Sequence, residues 1–124
     1  MTYRSFEDLD VWKRSCSVAV SICRCVRSWR EWGLRDQMIR CAVSVPSNIA
    51  EGMERGSIAD GTRFIHIAKG SAAELRTQVL IAHEIGLMDE RMTRHVTAEL
   101  REISSMLQGL AKSLKARQPT QANS

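Results

Sequence analysis

Along most of this chain, apolar residues recur at alternating steps of three and four, the spacing that lines one face of an α-helix. Leu9, Trp12, Cys16, Ala19, Cys23 and Val26 make one such stripe, and Val11, Val18, Ile22, Cys25 and Trp29 make a second beside it. A first helix is therefore predicted over residues 6–29, with an apolar face broad enough to meet more than one neighbour. Gly33 interrupts the pattern, and a second helix is predicted after it with Leu34, Met38, Ala42, Val45, Ile49 and Met53 facing inward. ERGSIADG, with two glycines and a serine, reads as the next turn. A third helix then carries Phe64, Ala68, Ser71, Leu75, Gln78, Ala82 and Ile85 on its inner face. Gly86 supplies a stop and Asp89 an N-cap for a fourth helix, whose stripe is Met92, Val96, Leu100, Ile103, Leu107, Leu110 and Leu114. Short connections make consecutive helices antiparallel, so the expected fold is all-α: an up-down-up-down four-helix bundle over residues 1–117. The tail QPTQANS, residues 118–124, is expected to be disordered.

Composition narrows the class. A chain of 124 residues suits one domain, and 44% hydrophobic with 26% charged residues describes a globular protein. No apolar run approaches the roughly 18 residues that span a bilayer, and the acidic start MTYRSFEDLD is unlike a secretory signal. A cytoplasmic protein without membrane contact is expected. Cys16, Cys23, Cys25 and Cys41 contain no C-x-x-C pair, and Cys23 and Cys25 point about 200° apart on a helix, so buried reduced thiols are expected rather than a metal site.

SVPSNIAEG, residues 44–52, stands out inside the second apolar stripe. Pro46 cannot donate a backbone hydrogen bond to Ala42, and an interior proline costs about 3 kcal/mol and kinks a helix. Ser44, Ser47 and Asn48 can serve the disturbed backbone, which favours a managed kink at Pro46; a helix restart capped by Ser44 is the alternative. Gln37, Arg40, Ser44, Ser47, Glu51 and Arg55 recur at helical spacing as a polar stripe. On the third helix Arg63, Gly70, Ser71, Glu74 and Gln78 are spaced compatibly. In an antiparallel pair folded about RGS, Arg40 falls opposite Glu74 and Glu51 opposite Arg63. The expectation is an interhelical polar seam of Gln37, Arg40, Ser44, Asn48, Glu51, Arg63, Glu74 and Gln78, with Ser44 and Gly70 allowing close approach; plain solvent exposure is the competing reading. Ion pairs there would fix register more than they add stability.

Catalytic signatures are missing. A di-metal bundle needs Glu-x-x-His, which does not occur, and there is no G-x-S-x-G or phosphate-binding glycine loop. His95 and Glu99, four apart, read as a solvated helix surface, and His66 and His83 as ordinary surface or core histidines. No enzyme activity, metal or cofactor is expected. The net charge of +4 is modest, yet Arg24, Arg27 and Arg30, then Arg91, Arg94 and Arg101, are candidate contacts to RNA or DNA. Trp29 and Trp32 at a helix end exceed what a small bundle must bury and are the candidate oligomer interface, with Trp12 in the core.

From Phe6 to Lys115 the chain resembles the bacterial four-helix bundle proteins first noticed as products of intervening sequences in large-subunit ribosomal RNA genes. The resemblance rests on FEDLDVWKRS, on GLRDQMIRCAVSVPSNIAEGMERGS and on RFIHIAKGSAAELRTQVLIAHEIG. It implies a homopentamer of bundles around a central opening. It also implies a more distant kinship with the accessory variability proteins of diversity-generating retroelements, basic pentamers that bind nucleic acid and a reverse transcriptase. The signature positions it carries over are Gln37, Arg40, Ser44, Pro46, Asn48, Glu51, Gly52 and Arg55, then Gly70, Ser71, Glu74 and Gln78. Two positions depart from the pattern: Cys41, where arginine or alanine is common, and Trp32, a usual tyrosine. The resulting expectation is a non-enzymatic oligomer serving as a nucleic-acid-associated accessory or scaffold, against the alternative of a partner-binding oligomer without a nucleic-acid role.

Overall fold

A computed structural model describes residues 5–117, and the expected tail at 118–124 lies outside them. The predicted first helix is divided. Ser5 caps a 3-10 turn over Phe6–Asp8, Leu9 is extended, and α1 runs Asp10–Val26. α2 spans Trp32–Met53, α3 Ile58–Glu84 and α4 Glu90–Ala116. The helix starts follow from their caps. Ser57 Oγ accepts from the Asp60 amide at 3.1 Å and Asp89 Oδ1 from the Met92 amide at 2.7 Å, each satisfying an amide that the helix leaves free. At the end of α3, Gly86 takes φ +84°, so that its own amide reaches His83 O at 3.0 Å and the Leu87 amide reaches Ala82 O at 2.9 Å. That is a Schellman ending, for which glycine's freedom at positive φ is required.

Each helix lies beside its neighbour in sequence and α1 also lies beside α4, while α1 and α3, and α2 and α4, stand on the diagonals among the described residues. This is the square section of an up-down-up-down bundle. Ile22, Met38, Ile49, Ile65, Leu75, Leu100, Ile103 and Leu107 fill its centre, all essentially without solvent contact. Burying a side chain of this size is worth roughly 2 kcal/mol, so the core rather than helix propensity holds the elements together.

Three expectations are corrected here. On α1 the buried face is centred on Val11, Ser15, Val18, Ile22 and Val26, close to the second apolar stripe, and Leu9, Trp12, Cys16 and Cys23 sit half-buried at its edge because α1 meets α2 and α4 with the sector between the stripes. Of the cysteines only Cys41 is buried; all four are free thiols. Trp29, expected at an interface, is 9% exposed and joins the core, whereas Trp32 is 65% exposed. Trp12 packs against the core and meets Phe6 edge-on, with ring centroids 5.3 Å apart.

α1 is clamped to α4 by one bidentate ion pair, with Arg14 Nε 2.7 Å from Glu99 Oε1 and Nη2 2.9 Å from Oε2. Arg14 donating to it is the main reason that the Glu99 carboxyl titrates below its usual value of 4.5. Since the folded pKa lies below the unfolded one, the stabilisation is present above the unfolded value and is lost as pH falls through the depressed one. Thermal midpoints of wild type and Glu99→Gln should therefore differ at neutral pH and converge as pH falls through the depressed carboxyl pKa. A gap that stays constant across that range would show that the charge of Glu99 is not what matters.

Candidate functional site

SVPSNIAEG lies within α2, which is continuous from Trp32 to Met53, so no restart occurs at Ser44. Pro46 is buried and leaves the Ala42 carbonyl without its usual helical donor. One turn on, Asn48 Nδ2 donates to Ser44 O at 2.8 Å and to Ser44 Oγ at 2.9 Å, and Ser44 Oγ shares a 2.9 Å hydrogen bond with Ser71 Oγ of α3. The motif thus ties the backbone around the proline to the next helix through a three-residue hydrogen-bond chain. Small side chains are needed there because serine hydroxyls meet only when the helices are close.

Nearer the turn the helices come closer still. A Cβ at Gly52 would lie 2.8 Å from Gly61 O, and one at Gly61 would lie 2.8 Å from Gly52 O. Close approach is therefore set at Gly52 and Gly61; Gly70, assigned that role from the sequence, is exposed with nothing within 4 Å of an added Cβ. Gly52 opposite Gly61 and Ser44 opposite Ser71 give a register within one residue of the expected one.

The expected ion pairs do not form among the described residues. Glu51 pairs with Arg55 on its own helix at 2.8 Å, and Arg63 approaches Asp60 at 3.8 Å. The two guanidiniums instead stack on the half-exposed Phe64 ring, Arg55 at 4.5 Å and Arg63 at 4.7 Å from its centroid. Local partners win because residues three or four apart on a helix meet without ordering a second element. Arg40 and Gln37 are exposed, and Glu74 approaches Cys41 rather than Arg40. Burial, and then that carboxylate, push the Cys41 thiol up to about 11, so it stays protonated and unreactive at neutral pH. Gln78 is buried on the same side, its Oε1 without a hydrogen-bond partner among the described residues. Of the expected seam, Ser44 and Asn48 bond each other and tie α2 to Ser71 of α3, while the charged members find partners on their own helix or face solvent.

All six candidate arginines are exposed. Arg24, Arg27 and Arg30 end α1 and enter the following loop; Arg91 and Arg94 open α4 at the same end of the antiparallel pair; Arg101 lies farther along α4. Arg94 is held by Glu90 at 2.8 Å. His95 and Glu99 line a shallow groove of about 150 Å³ between α1 and α4 with Ser17 and Ser21, but Glu99 is committed to Arg14. Among the described residues no three His, Cys, Asp or Glu side chains converge on one point, and no helix is long and apolar enough to cross a membrane.

Residues 7–109 match the family described as 23S rRNA-intervening sequence proteins. The chain belongs to that family. A solved structure with the same fold is a protein of unknown function from the S23 ribosomal protein family of Bacteroides thetaiotaomicron. It is 23% identical, with a TM-score of 0.78 over 82% of this chain and 98% of that one. No curated protein matches the chain. The match to the intervening-sequence family covers all of α1, α2 and α3 and most of α4, so the glycine contact and the Ser44–Ser71 bond fall within the matched region.

Sequence reading missed Gly61 and the role of Phe64. The signal for Gly61 was its place in ERGSIADG, opposite Gly52 once the register is fixed. For Phe64 it was the local spacings of Glu51 with Arg55 and Asp60 with Arg63, which compete with any pairing across the helices.

Proposed function

We propose that this protein is a non-enzymatic, cytosolic homo-oligomer, a ring of five bundles, acting as a nucleic-acid-associated accessory or scaffold. The observation that carries the nucleic-acid part is the six exposed candidate arginines, Arg24, Arg27, Arg30, Arg91, Arg94 and Arg101, of which only Arg94 has a carboxylate partner among the described residues. Five copies of a +4 chain would present +20 to a polyanion, enough for long-range attraction. Assembly is supported by two unlike apolar flanks. Val20 of α1 with Trp32 and Val43 of α2 are exposed on one, and Ile67, Ile81 and Ile85 along α3 on another. Unlike flanks suit a head-to-tail contact, which closes into a ring when the rotation between subunits permits. A reverse transcriptase is the protein partner this reading brings in, to be sought by pull-down.

The test is fluorescence anisotropy of labelled RNA and DNA titrated with salt, with particle mass measured on the same sample. Binding that weakens steeply as salt rises, from a particle of five chains, is the expected result. An intact oligomer that binds neither nucleic acid at low salt would favour a scaffold for another protein, and a monomer at working concentration would remove the ring.

A further inference from the structure

The charges of α3 and α4 are sorted by face. α4's acids Glu99 and Glu102 look towards α1: Glu99 pairs with Arg14, and Glu102 adds to the negative field around that guanidinium. On α3, Glu74 approaches α2 and Asp60 lies beside Arg63. What remains along the junction of the two helices is positive. From α3, Lys69, Ala73, Arg76, Leu80 and His83 follow one another at steps of three and four. From α4, Glu90, Arg94, Arg101, Ser105, Gln108, Lys112 and Lys115 keep the same phase.

Two contacts prove that these stripes flank one seam. Lys69 Nζ meets Gln108 Oε1 at 2.6 Å, and His83 Nε2 meets Glu90 Oε2 at 2.8 Å, one towards each end of the junction. Lys69, Arg76, Arg101, Lys112 and Lys115 form no ion pair among the described residues. The nearby carboxylates, Glu84 and Glu90, gather at the α3–α4 turn, and Glu90 is already shared between His83 and Arg94. From Arg94 to Lys115 the row is about 32 Å long at 1.5 Å per residue.

We propose that this seam between α3 and α4 receives the phosphate backbone of a double-stranded nucleic acid. The inference rests on the nucleic-acid reading above and assigns the face that carries it. Duplex is favoured over single strand by what the seam lacks. Surfaces for unpaired strands present aromatic rings on which bases stack, and none of the aromatic side chains among the described residues, Phe6, Trp12, Trp29, Trp32 and Phe64, lies on either stripe. A duplex offers phosphates outward with its bases already stacked, and one turn of it, about 34 Å, matches the length of the row. Recognition of this kind is by charge and shape, not by sequence.

The experiment compares full-length wild type with two triple variants that each lose three charges. Arg76→Gln, Arg101→Gln and Lys112→Gln empty the seam. Lys13→Gln, Arg35→Gln and Arg40→Gln remove cations from α1 and α2. Binding of labelled mixed-sequence RNA and DNA duplexes, and of the corresponding single strands, is followed by anisotropy across a salt series, with thermal midpoints confirming that both variants fold. The seam triple should bind duplex at least about tenfold more weakly, with a log–log salt slope shallower by roughly three, while the other triple should change by no more than about threefold. If wild type binds duplex and the two triples weaken it equally, net charge alone is responsible and the seam is overturned while the nucleic-acid reading stands. Wild type that binds only single strands overturns the duplex assignment, and wild type that binds nothing removes both readings.

Discussion

Gly52→Ala is expected to destabilise the protein by about 2–3 kcal/mol, a loss of roughly 10 °C in thermal midpoint for a chain of this size. The sign is the opposite of the usual one. Alanine is favoured over glycine inside a helix by about 1 kcal/mol, and Gly52 is helical. But its added Cβ would sit 2.8 Å from Gly61 O and 3.0 Å from Phe64 Cβ. The oxygen belongs to the backbone of α3, so relief requires the helices to move apart, which would stretch the Ser44–Ser71 hydrogen bond farther along the same pair. Gly70→Ala and Gly109→Ala give the contrast. Both glycines are helical, with nothing within 4 Å of an added Cβ, and both substitutions should stabilise by roughly 0.5–1 kcal/mol. Urea midpoints for the three variants decide the matter. If Gly52→Ala is neutral or stabilising, the helices are not held at the separation described, and a stabilised Gly70→Ala would confirm that Gly70 is not where they approach.

The contrast between Gly52 and Gly70 shows what was legible in the sequence. Periodicity located four helices because each buries one side along its whole length, and the Gly86 and Asp89 signals placed the last turn because their chemistry is local. The α2–α3 register was also legible, to within a residue, from the position of the RGS turn about which the antiparallel pair folds. The partners within the seam were not. An antiparallel register places several residues near each other, and which of them bond depends on competition that sequence spacing does not rank. Glu51 had Arg55 one turn away, and Arg63 had both Asp60 and the Phe64 ring. Likewise the arginines were legible as exposed cations, but the sorting of acids towards α1 and α2 emerges only when the helices are assembled. Lys69, Arg76, Lys112 and Lys115 had no distinguishing pattern until the Lys69–Gln108 and His83–Glu90 contacts set their helices side by side.

Trp29→Ala and Trp32→Ala should have separable consequences although the two residues are three apart. Trp29 follows the end of α1 and closes the core at that end of the bundle at 9% exposure, its amide bonded to Val26 O at 3.0 Å. Truncating a buried tryptophan typically costs about 3–5 kcal/mol, so Trp29→Ala is expected to lower the thermal midpoint by more than roughly 10 °C and to weaken any assembly only by unfolding its subunits. Trp32, at the first position of α2 and 65% exposed, has little folded-state packing to lose, and its replacement should shift subunit stability by less than about 0.5 kcal/mol. If the flank it shares with Val20 and Val43 is a subunit contact, Trp32→Ala will instead reduce particle mass at fixed concentration with helicity unchanged. Thermal melts and sedimentation on the same preparations separate the two effects. A Trp29→Ala protein that melts like wild type would place that indole outside the core, and a Trp32→Ala protein whose particle mass matches wild type on dilution would place any subunit contact away from this flank, leaving Ile67, Ile81 and Ile85 to be tested next.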